Sequence, residues 1–223
     1  MIWYESQFYT KDKYNSGKLL IKQVKVFEEN RLIIAKKIVS GIGENIYEVL
    51  YHYYKHNKKE VKGTLDWIKK EFYKRIESSS DIKSLMSVEG EVWQRFYGEF
   101  KVILPEDFIM NKRCKRPPDN PINALISFGN TLLYTKTISD LVNRKILKVD
   151  KHFDKKVNYC LLNEEGRNIF IKSFEERLES VFMHPKLKRR VSYKTAIKLD
   201  CYKLIKFIME EKDFKPFSLK EGY

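Results

Sequence analysis

Apolar residues recur every three or four positions along most of the chain, the spacing of a helix with one buried face. The pattern is clearest over residues 30–54, where it runs through Ile34, Ile38, Ile42, Ile46 and Leu50. Shorter stretches with the same period predict further helices over residues 16–29, 61–77, 80–86, 90–102, 121–133, 138–147, 163–182 and 192–211. The sequence therefore predicts an all-α domain over residues 16–223, with an extended lead-in over 1–15 and a small hairpin near 149–162.

Local signals refine these boundaries. Gly41 and Gly43 lie inside the longest predicted helix and lower its helix propensity, so a close helix crossing or a kink is expected there. Asn163 and Ser192 are good N-cap residues for the last two helices. Residues 104–121 contain four prolines and predict the clearest non-helical segment.

The net charge of the chain favours one class of binding partner. The chain of 223 residues contains 44 lysines and arginines against 30 acids, a formal net charge of +14. A field of that sign attracts polyanions, and this favours nucleic acid over a merely lysine-rich composition.

Other features exclude whole classes of function. Three widely spaced cysteines form no disulfide framework. The N-terminus has no signal-peptide pattern, and no apolar run is long enough to span a bilayer, so we expect a cytoplasmic protein without membrane contact. There is no P-loop and no dinucleotide fingerprint. His52 and His56 share a helix face but lack the acid of a metalloprotease pattern, which favours a solvated helix end.

Two basic clusters and one carboxylate are candidates for a site. The first cluster lies on the proline-stiffened loop, which positions charge for phosphate at low entropic cost, and consists of Lys112, Arg113, Lys115 and Arg116. The second cluster is predicted at the start of the last helix, where phosphate binding and a solvated face are both reasonable, and consists of Lys186, Lys188, Arg189, Arg190 and Lys194. Glu89 is predicted at a junction between two helices, where a metal ligand and a helix-capping side chain are both reasonable.

Two longer motifs point to a family. They are LMSVEGEVWQRFYGEF at residues 85–100 and KRPPDNPINALISFGNTLLY at 115–134. In this order they resemble the signature of the CRISPR-associated endonuclease and integrase that inserts new spacers, the "Cas-one" family. The part from LNEEGRNIF to FKPF also resembles that family, particularly its type I-B branch, so the resemblance covers nearly the whole chain.

The resemblance implies a fold, a chemistry and partners. Members have an N-terminal β domain and a C-terminal helical catalytic domain that cuts and joins DNA strands with Mg²⁺ or Mn²⁺ held by a Glu, a His and an Asp. Glu89 matches the catalytic and metal-binding Glu, and Tyr97 matches an active-site neighbour. Arg116 and Asn123 match residues beside the DNA. Double-stranded DNA, a second copy of the chain and the small "Cas-two" protein are the implied partners.

The chain departs from that pattern in two places. We expect the N-terminal β domain to be missing, and we expect an internal deletion near residues 135–138, where the segment with the ligand His and Asp would follow. His152 and Asp140 do not match those ligands. We therefore expect a truncated member whose strand cleavage is impaired, because one carboxylate holds a hard cation poorly.

Three alternatives remain open. Residues 138–170 have the order helix, hairpin, helix of a winged-helix end, which would make the chain a DNA-binding regulator without chemistry. The second alternative is an inactive remnant that binds a full-length homologue or the small partner. The third alternative is a decaying gene product that folds poorly.

Overall fold

A computed structural model describes residues 17–128, 146–156, 159–184, 187–210 and 213–218 of the chain. Ten α-helices account for most of these residues: α1 Gly17–Glu29, α2 Arg31–Lys55, α3 Lys62–Trp67, α4 Tyr73–Ser78, α5 Ile82–Gly98, α6 Phe100–Ile103, α7 Pro121–Phe128, α8 Val149–His152, α9 Glu164–Glu179 and α10 Tyr193–Glu210. A π-helical segment, Ile68–Phe72, joins α3 to α4, and short 3₁₀ turns span Lys59–Val61 and Glu106–Phe108. The prediction of an all-α domain is confirmed.

Two antiparallel hairpins complete the described fold. Strands β1 (Phe153–Lys156) and β2 (Tyr159–Leu162) pair with Phe153 opposite Leu162, which confirms the hairpin predicted near 149–162. Strands β3 (Val181–His184) and β4 (Arg189–Ser192) pair with Val181 opposite Ser192. The second hairpin was not predicted.

The main core lies where α2 packs on the α3–π–α4 segment and on α5. Ile46, Leu50, Phe72 and Phe96 are all fully buried there. A Cβ atom on Gly43 would lie 2.0 Å from Cε1 of Phe72, so only glycine lets the Phe72 ring approach α2 this closely. The expectation of a close helix approach is confirmed at Gly43.

Helix α5 is one continuous element, so the prediction of two helices that meet near Glu89 is wrong. Asp81, and not Ser80, caps it: its carboxylate accepts from the backbone N–H of Ser84 at 2.8 Å, and the Ser84 hydroxyl completes a capping box. The helix continues through Gly90 because Val88 and Val92 are both buried in one apolar face, which offsets the low propensity of the glycine.

The last two helices begin at the N-cap residues that the sequence predicted. The Asn163 side chain accepts from the backbone N–H of Gly166 at 2.9 Å and caps α9, and the Ser192 hydroxyl accepts from Thr195 N–H at 3.2 Å and caps α10. Helix α9 ends at Glu179 and not at 182, because Val181 and the next residues form β3.

Some predictions lie outside the described residues. They include the extended lead-in over 1–15, the predicted deletion near 135–138 and the end of the helix predicted over 121–133. Most of the helix predicted over 138–147 is also outside, and residues 146–147 are not helical. Among the helices that the structure describes, none has the length and hydropathy needed to cross a membrane.

Candidate nucleic-acid interface

A cleft of about 960 Å³ lies between α5 and the loop that precedes α7. Helix α5 contributes Glu89, Trp93 and Tyr97, and the loop contributes its cations. The full set of lining residues is Ile42, Met86, Glu89, Gly90, Trp93, Gln94, Tyr97, Gly98, Met110, Asn111, Lys112, Arg113 and Lys115. The cleft therefore holds three cations and one carboxylate, which gives it a positive balance.

Glu89 lies in the middle of α5 and is half-buried. Its Oε1 accepts a hydrogen bond from the indole Nε1 of Trp93 at 3.3 Å, one helical turn further on. Glu89 does not cap a helix; its side chain lies on the wall of the cleft, with one oxygen oriented by a neutral donor.

Arg113 fixes the basic loop to α7. Its guanidinium donates to Oδ1 of Asn123 at 3.1 Å, to Oγ of Ser127 at 3.0 Å and to the carbonyl of Cys114. These bonds leave the charge of Arg113 in the cleft wall but use several of its donors. The exposed lysines of the loop, Lys112 and Lys115, have more surface to offer to a phosphate.

Asn123 is the residue on which the loop conformation depends. Its side chain is fully buried, and its Nδ2 donates to the Lys112 carbonyl at 2.9 Å and to Oδ1 of Asp119 at 2.7 Å. The prediction that Asn123 contacts DNA is therefore corrected: a buried amide has no surface for a ligand, and this one positions Arg113 and the loop backbone.

Asp119 and a hairpin strand brace the other end of the loop. Burial raises the pKa of Asp119, but hydrogen bonds from Asn123 and Cys114 outweigh it and hold this pKa below its ordinary value. The hydrogen bond to Asp119 is also the main cause that raises the pKa of the Cys114 thiol. The backbone N–H of Cys160 in β2 donates to the Pro118 carbonyl at 2.8 Å. The loop is thus held from α7 and from β2.

Tyr97 lies on the cleft wall, as predicted for a neighbour of the site. Its ring stacks on Trp93 with a centroid distance of 5.5 Å. Burial raises the pKa of Tyr97, and the charge and hydrogen bond of Arg113 partly oppose this. The hydroxyl therefore stays protonated at neutral pH and is a hydrogen-bond donor or acceptor there.

The remaining predicted cations lie elsewhere. Arg116 is exposed on the same loop but does not line the cleft. Lys188 occupies the turn of the second hairpin with a φ of 51°, and Arg189 and Arg190 are exposed in β4. Their predicted position at the start of the last helix is wrong, because the cluster forms a strand that ends before α10 begins.

The described residues do not form a three-ligand metal centre. Within the described ranges, no group of three or more His, Cys, Asp or Glu side chains comes together. The residues outside those ranges include no histidine or cysteine, and their carboxylates are Glu5, Asp12, Asp140, Glu211 and Glu221. Among the residues that line the cleft, Glu89 alone offers a carboxylate to a hard cation.

The hairpin β1–β2 followed by α9 matches the order predicted for a winged-helix end. Its strand β2, however, packs on α7 and bonds to Pro118, with Cys160 and Leu162 buried. A wing that touches the DNA backbone must be exposed, so this hairpin is better described as a support for the basic loop.

The fold and the cleft together define a helical domain with a cationic cleft, a class of protein suited to contact with nucleic-acid phosphates. Residues 2–142 match the profile of the family described as CRISPR associated protein Cas1. The chain belongs to the Cas1 family, which confirms the resemblance found in its motifs.

Two relatives show how far the similarity extends. The CRISPR-associated endonuclease Cas1 2 of Thermodesulfovibrio yellowstonii is 35% identical over 261 positions, covering 96% of this chain and 78% of the relative. The CRISPR-associated protein Cas1 1 of Methanobrevibacter ruminantium is 33% identical, covering 96% and 77%. Each alignment is longer than the chain of 223 residues, so the relatives have residues where this chain has none. The place predicted for a deletion, near 135–138, stays a prediction.

Solved structures support the same fold. A CAS1 protein from Thermotoga maritima superposes with a TM-score of 0.70 at 27% identity, covering 95% of this chain and 77% of that one. A casposase bound to integration product gives a TM-score of 0.75 at 15% identity, covering 94% and 74%, and shows the fold alone.

Sequence reasoning missed one side chain of the site. Trp93 follows Glu89 by four positions, and this spacing brings two side chains of a helix together. The hydrogen bond from Trp93 to Glu89 could therefore have been predicted from spacing alone.

Proposed function

We propose that this Cas1 protein acts in CRISPR adaptation by binding double-stranded DNA, with the strand cleavage and transfer of its family impaired. The observation that carries the proposal is the single cleft in which Glu89 lies with Lys112, Arg113 and Lys115. Membership of a family whose relatives include CRISPR-associated endonucleases supports the choice of DNA as the polyanion. A cytoplasmic site of action is part of the proposal.

The proposed contact is with the phosphates of the duplex. Lys112 and Lys115 project from a loop whose backbone is fixed by Asn123, so little backbone conformational entropy is lost when a phosphate binds. Arg113 adds charge while it holds the loop on α7. Such contacts release counterions and should make the affinity fall steeply with salt.

A divalent ion contributes little to the proposed DNA complex. Mg²⁺ or Mn²⁺ is the ion that the family resemblance implies, and we propose that its binding at Glu89 is weak. The described residues bring no second carboxylate or imidazole to the cleft. No contact in the proposed DNA complex depends on the ion.

A binding assay tests the DNA-binding part. Lys112→Gln with Lys115→Gln should lower the affinity for a labelled duplex and reduce the slope of log K against log salt by about 1–2, since each lost phosphate contact accounts for roughly 0.9. The matched control removes the same charge at Lys101 and Lys172, which are exposed and do not line the cleft. Equal losses in both pairs would refute a binding role for the cleft.

A cleavage assay tests the catalytic part. Branched DNA is incubated with Mg²⁺ or Mn²⁺ and with wild-type protein or Glu89→Gln, which keeps the hydrogen bond from Trp93 possible. We expect little or no cleavage in either sample. If the wild-type protein cleaves the DNA robustly and Glu89→Gln abolishes this cleavage, the catalytic centre is complete and the proposal of impaired cleavage is wrong.

A second candidate function is that of a non-catalytic subunit. Helix α1 exposes large apolar side chains along one stripe: Leu20 (66% exposed), Ile21 (61%), Val24 (57%) and Phe27 (64%). Apolar patches of this kind mark association surfaces. A full-length homologue, a second copy of the chain and the Cas2 protein are the proposed partners. Structural neighbours that share the fold at 18% and 19% identity are described as Cas6-RT-Cas1–Cas2 complexes.

Size-exclusion chromatography with light scattering separates the two functions. Val24→Lys should abolish a complex that forms with purified Cas1 or Cas2, while DNA binding by the chain alone stays unchanged. Ile171→Lys, at an exposed position of α9 (45% exposed), is the control for a surface apolar-to-charged change. The absence of any complex with wild-type protein would eliminate the subunit function.

A further inference from the structure

Three tyrosines form a continuous row on the last three turns of α2. Tyr47, Tyr51 and Tyr54 follow each other at four- and three-residue steps. Their rings are nearly parallel, with centroids 5.7 Å apart and planes 16° apart in the first pair, and 6.3 Å and 15° in the second. All three are half-buried, and none lines the cleft described above. We call these residues the tyrosine row.

An exposed lysine covers each ring of the tyrosine row. The ammonium of Lys69 lies 5.0 Å from the Tyr47 centroid, that of Lys55 lies 4.6 Å from Tyr51, and that of Lys59 lies 4.2 Å from Tyr54. The three lysines come from α2, from the 3₁₀ turn after it and from the π segment. Three separate elements therefore place their cations on one strip of surface.

Cations outnumber acids near the row. Residues 54–70 contain six lysines and two acids, Glu60 and Asp66, while Glu44 and Glu48 flank Tyr47 in the sequence. A hydrogen bond with Tyr47 is the main cause that raises the pKa of Lys69, so this ammonium remains charged at neutral pH. The three lysines are exposed, and the tyrosines beneath them pack against the main core.

A row of ring-bound lysines differs physically from an ordinary solvated basic face. A free lysine loses rotamer entropy when it is fixed in one position. A cation–π contact on the surface offsets part of that loss before any ligand arrives. Lys59 is held further, because its Nζ donates to the Tyr54 carbonyl at 3.0 Å. The cations are thus already ordered in a line.

We propose that the tyrosine row with Lys55, Lys59 and Lys69 is a second nucleic-acid contact, which binds the phosphate backbone of a strand outside the cleft. The inference rests on the proposed DNA-binding function for the identity of the polyanion. Because a lysine ammonium already lies over each ring, the bases of the ligand do not stack on the row; the ammonium groups make the contacts. The contact is independent of base sequence.

The first experiment removes the charges. A variant with Lys55, Lys59 and Lys69 each changed to Gln is titrated with a labelled duplex and with a labelled single strand between about 50 and 200 mM salt. We expect the slope of log K against log salt to fall by about 2–3 for the duplex, at roughly 0.9 for each lost contact. For a single strand the expected fall is about 2, at roughly 0.7 for each contact.

The matched control changes Lys101, Lys172 and Lys206 to Gln. These lysines are exposed on α6, α9 and α10, and their loss lowers the net charge by the same amount. The control should retain the wild-type slope. If the two triple variants behave alike, the row is only a solvated face and the inference is overturned.

The second experiment tests whether the rings matter. Tyr51→Leu leaves every lysine in place but removes the ring beneath Lys55. We expect a twofold to fivefold weaker affinity with an unchanged salt slope, the equivalent of about 0.5–1 kcal/mol. An unchanged affinity would show that the rings do not order the cations. Circular dichroism confirms that each variant is folded.

The outcomes separate this inference from the proposed function. Suppose that Lys112→Gln with Lys115→Gln loses DNA affinity as expected, while the triple variant of Lys55, Lys59 and Lys69 behaves like its control. The contact at the tyrosine row would then be refuted, and the contact at the cleft would be retained. A wild-type chain that binds neither oligonucleotide at about 50 mM salt would refute both, because phosphate contacts are strongest at low salt.

Discussion

Replacing Asn123 by alanine should loosen the basic loop without touching any residue on its exposed surface. The Asn123 side chain makes three hydrogen bonds, to the Lys112 carbonyl, to Asp119 and to Arg113. The side chain is fully buried. Alanine removes all three bonds at once and leaves the loop attached through Arg113 to Ser127 and through Pro118 to β2.

The expected loss of stability follows from the partners. The bond to the Lys112 carbonyl is neutral and contributes about 0.5–1.5 kcal/mol, and the two bonds to charged groups would contribute roughly 1.5–3 kcal/mol each if no water replaced them. Asp119 is exposed and Arg113 is half-buried, so both regain solvent and the loss is smaller. We expect a decrease of about 2–4 kcal/mol in the free energy of unfolding.

Urea denaturation followed by tryptophan fluorescence measures the stability, and titration of a labelled duplex measures the consequence for the site. The affinity should fall because Lys112 and Arg113 lose the anchor that orders them. Asn168→Ala is the matched control: Asn168 is exposed on α9, and its change should alter stability by no more than about 0.5 kcal/mol. An Asn123→Ala protein with wild-type stability and wild-type affinity would refute the anchoring role.

Two further changes test the fold that carries the site. Gly43→Ala places a Cβ 2.0 Å from Phe72 and should lower the free energy of unfolding, measured in urea, by about 1–3 kcal/mol. Gly63→Ala is the control, because a Cβ there has no atom within 4 Å, and it should be neutral or stabilising. Equal urea midpoints for the two variants would contradict the close approach. Hydrogen bonds from Ser84 lower the pKa of Asp81 below its ordinary value of 3.8, so its contribution is present above that value and is lost as pH falls through the lower folded value. The difference in melting temperature between wild type and Asp81→Ala should therefore be largest near neutrality and vanish in acid, and a difference that persists at the lowest pH would contradict the cap.

The elements with strong local signals were predictable. Helix α2 follows directly from the period of its apolar residues, and the caps at Asn163 and Ser192 were found because their hydrogen bonds involve residues only three positions away. The tight approach at Gly43 was also indicated, because a glycine inside a strong helix pattern needs a packing reason. Each of these features depends on neighbours in sequence.

The second hairpin and the course of α5 were not predictable in the same way. The apolar residues Val181, Phe182 and Met183 extend the pattern of α9 smoothly, and only pairing with β4 shows that they are a strand. In α5, a glycine directly after Glu89 is typical of a helix end, but the buried face continues on both sides of it. Contacts distant in sequence decided both cases.

The candidate site was found in part. The glutamate, the tyrosine and the loop cations were named from motifs, and the structure brings Glu89, Tyr97, Arg113 and Lys115 to one cleft. Asn123 was assigned to the wrong task, although it lies among the buried residues of the apolar segment PINALISF. A polar side chain inside such a segment needs internal hydrogen-bond partners, and that rule would have indicated an anchor.

The contacts that shape the cleft make the proposed DNA binding independent of metal chemistry. The basic loop takes its conformation from Asn123, from the bond of Arg113 to Ser127 and from the Cys160–Pro118 backbone bond. None of these contacts includes Glu89, whose carboxylate accepts from Trp93. The loss of a metal ion at Glu89 would therefore not release the loop, since the cations keep their protein anchors.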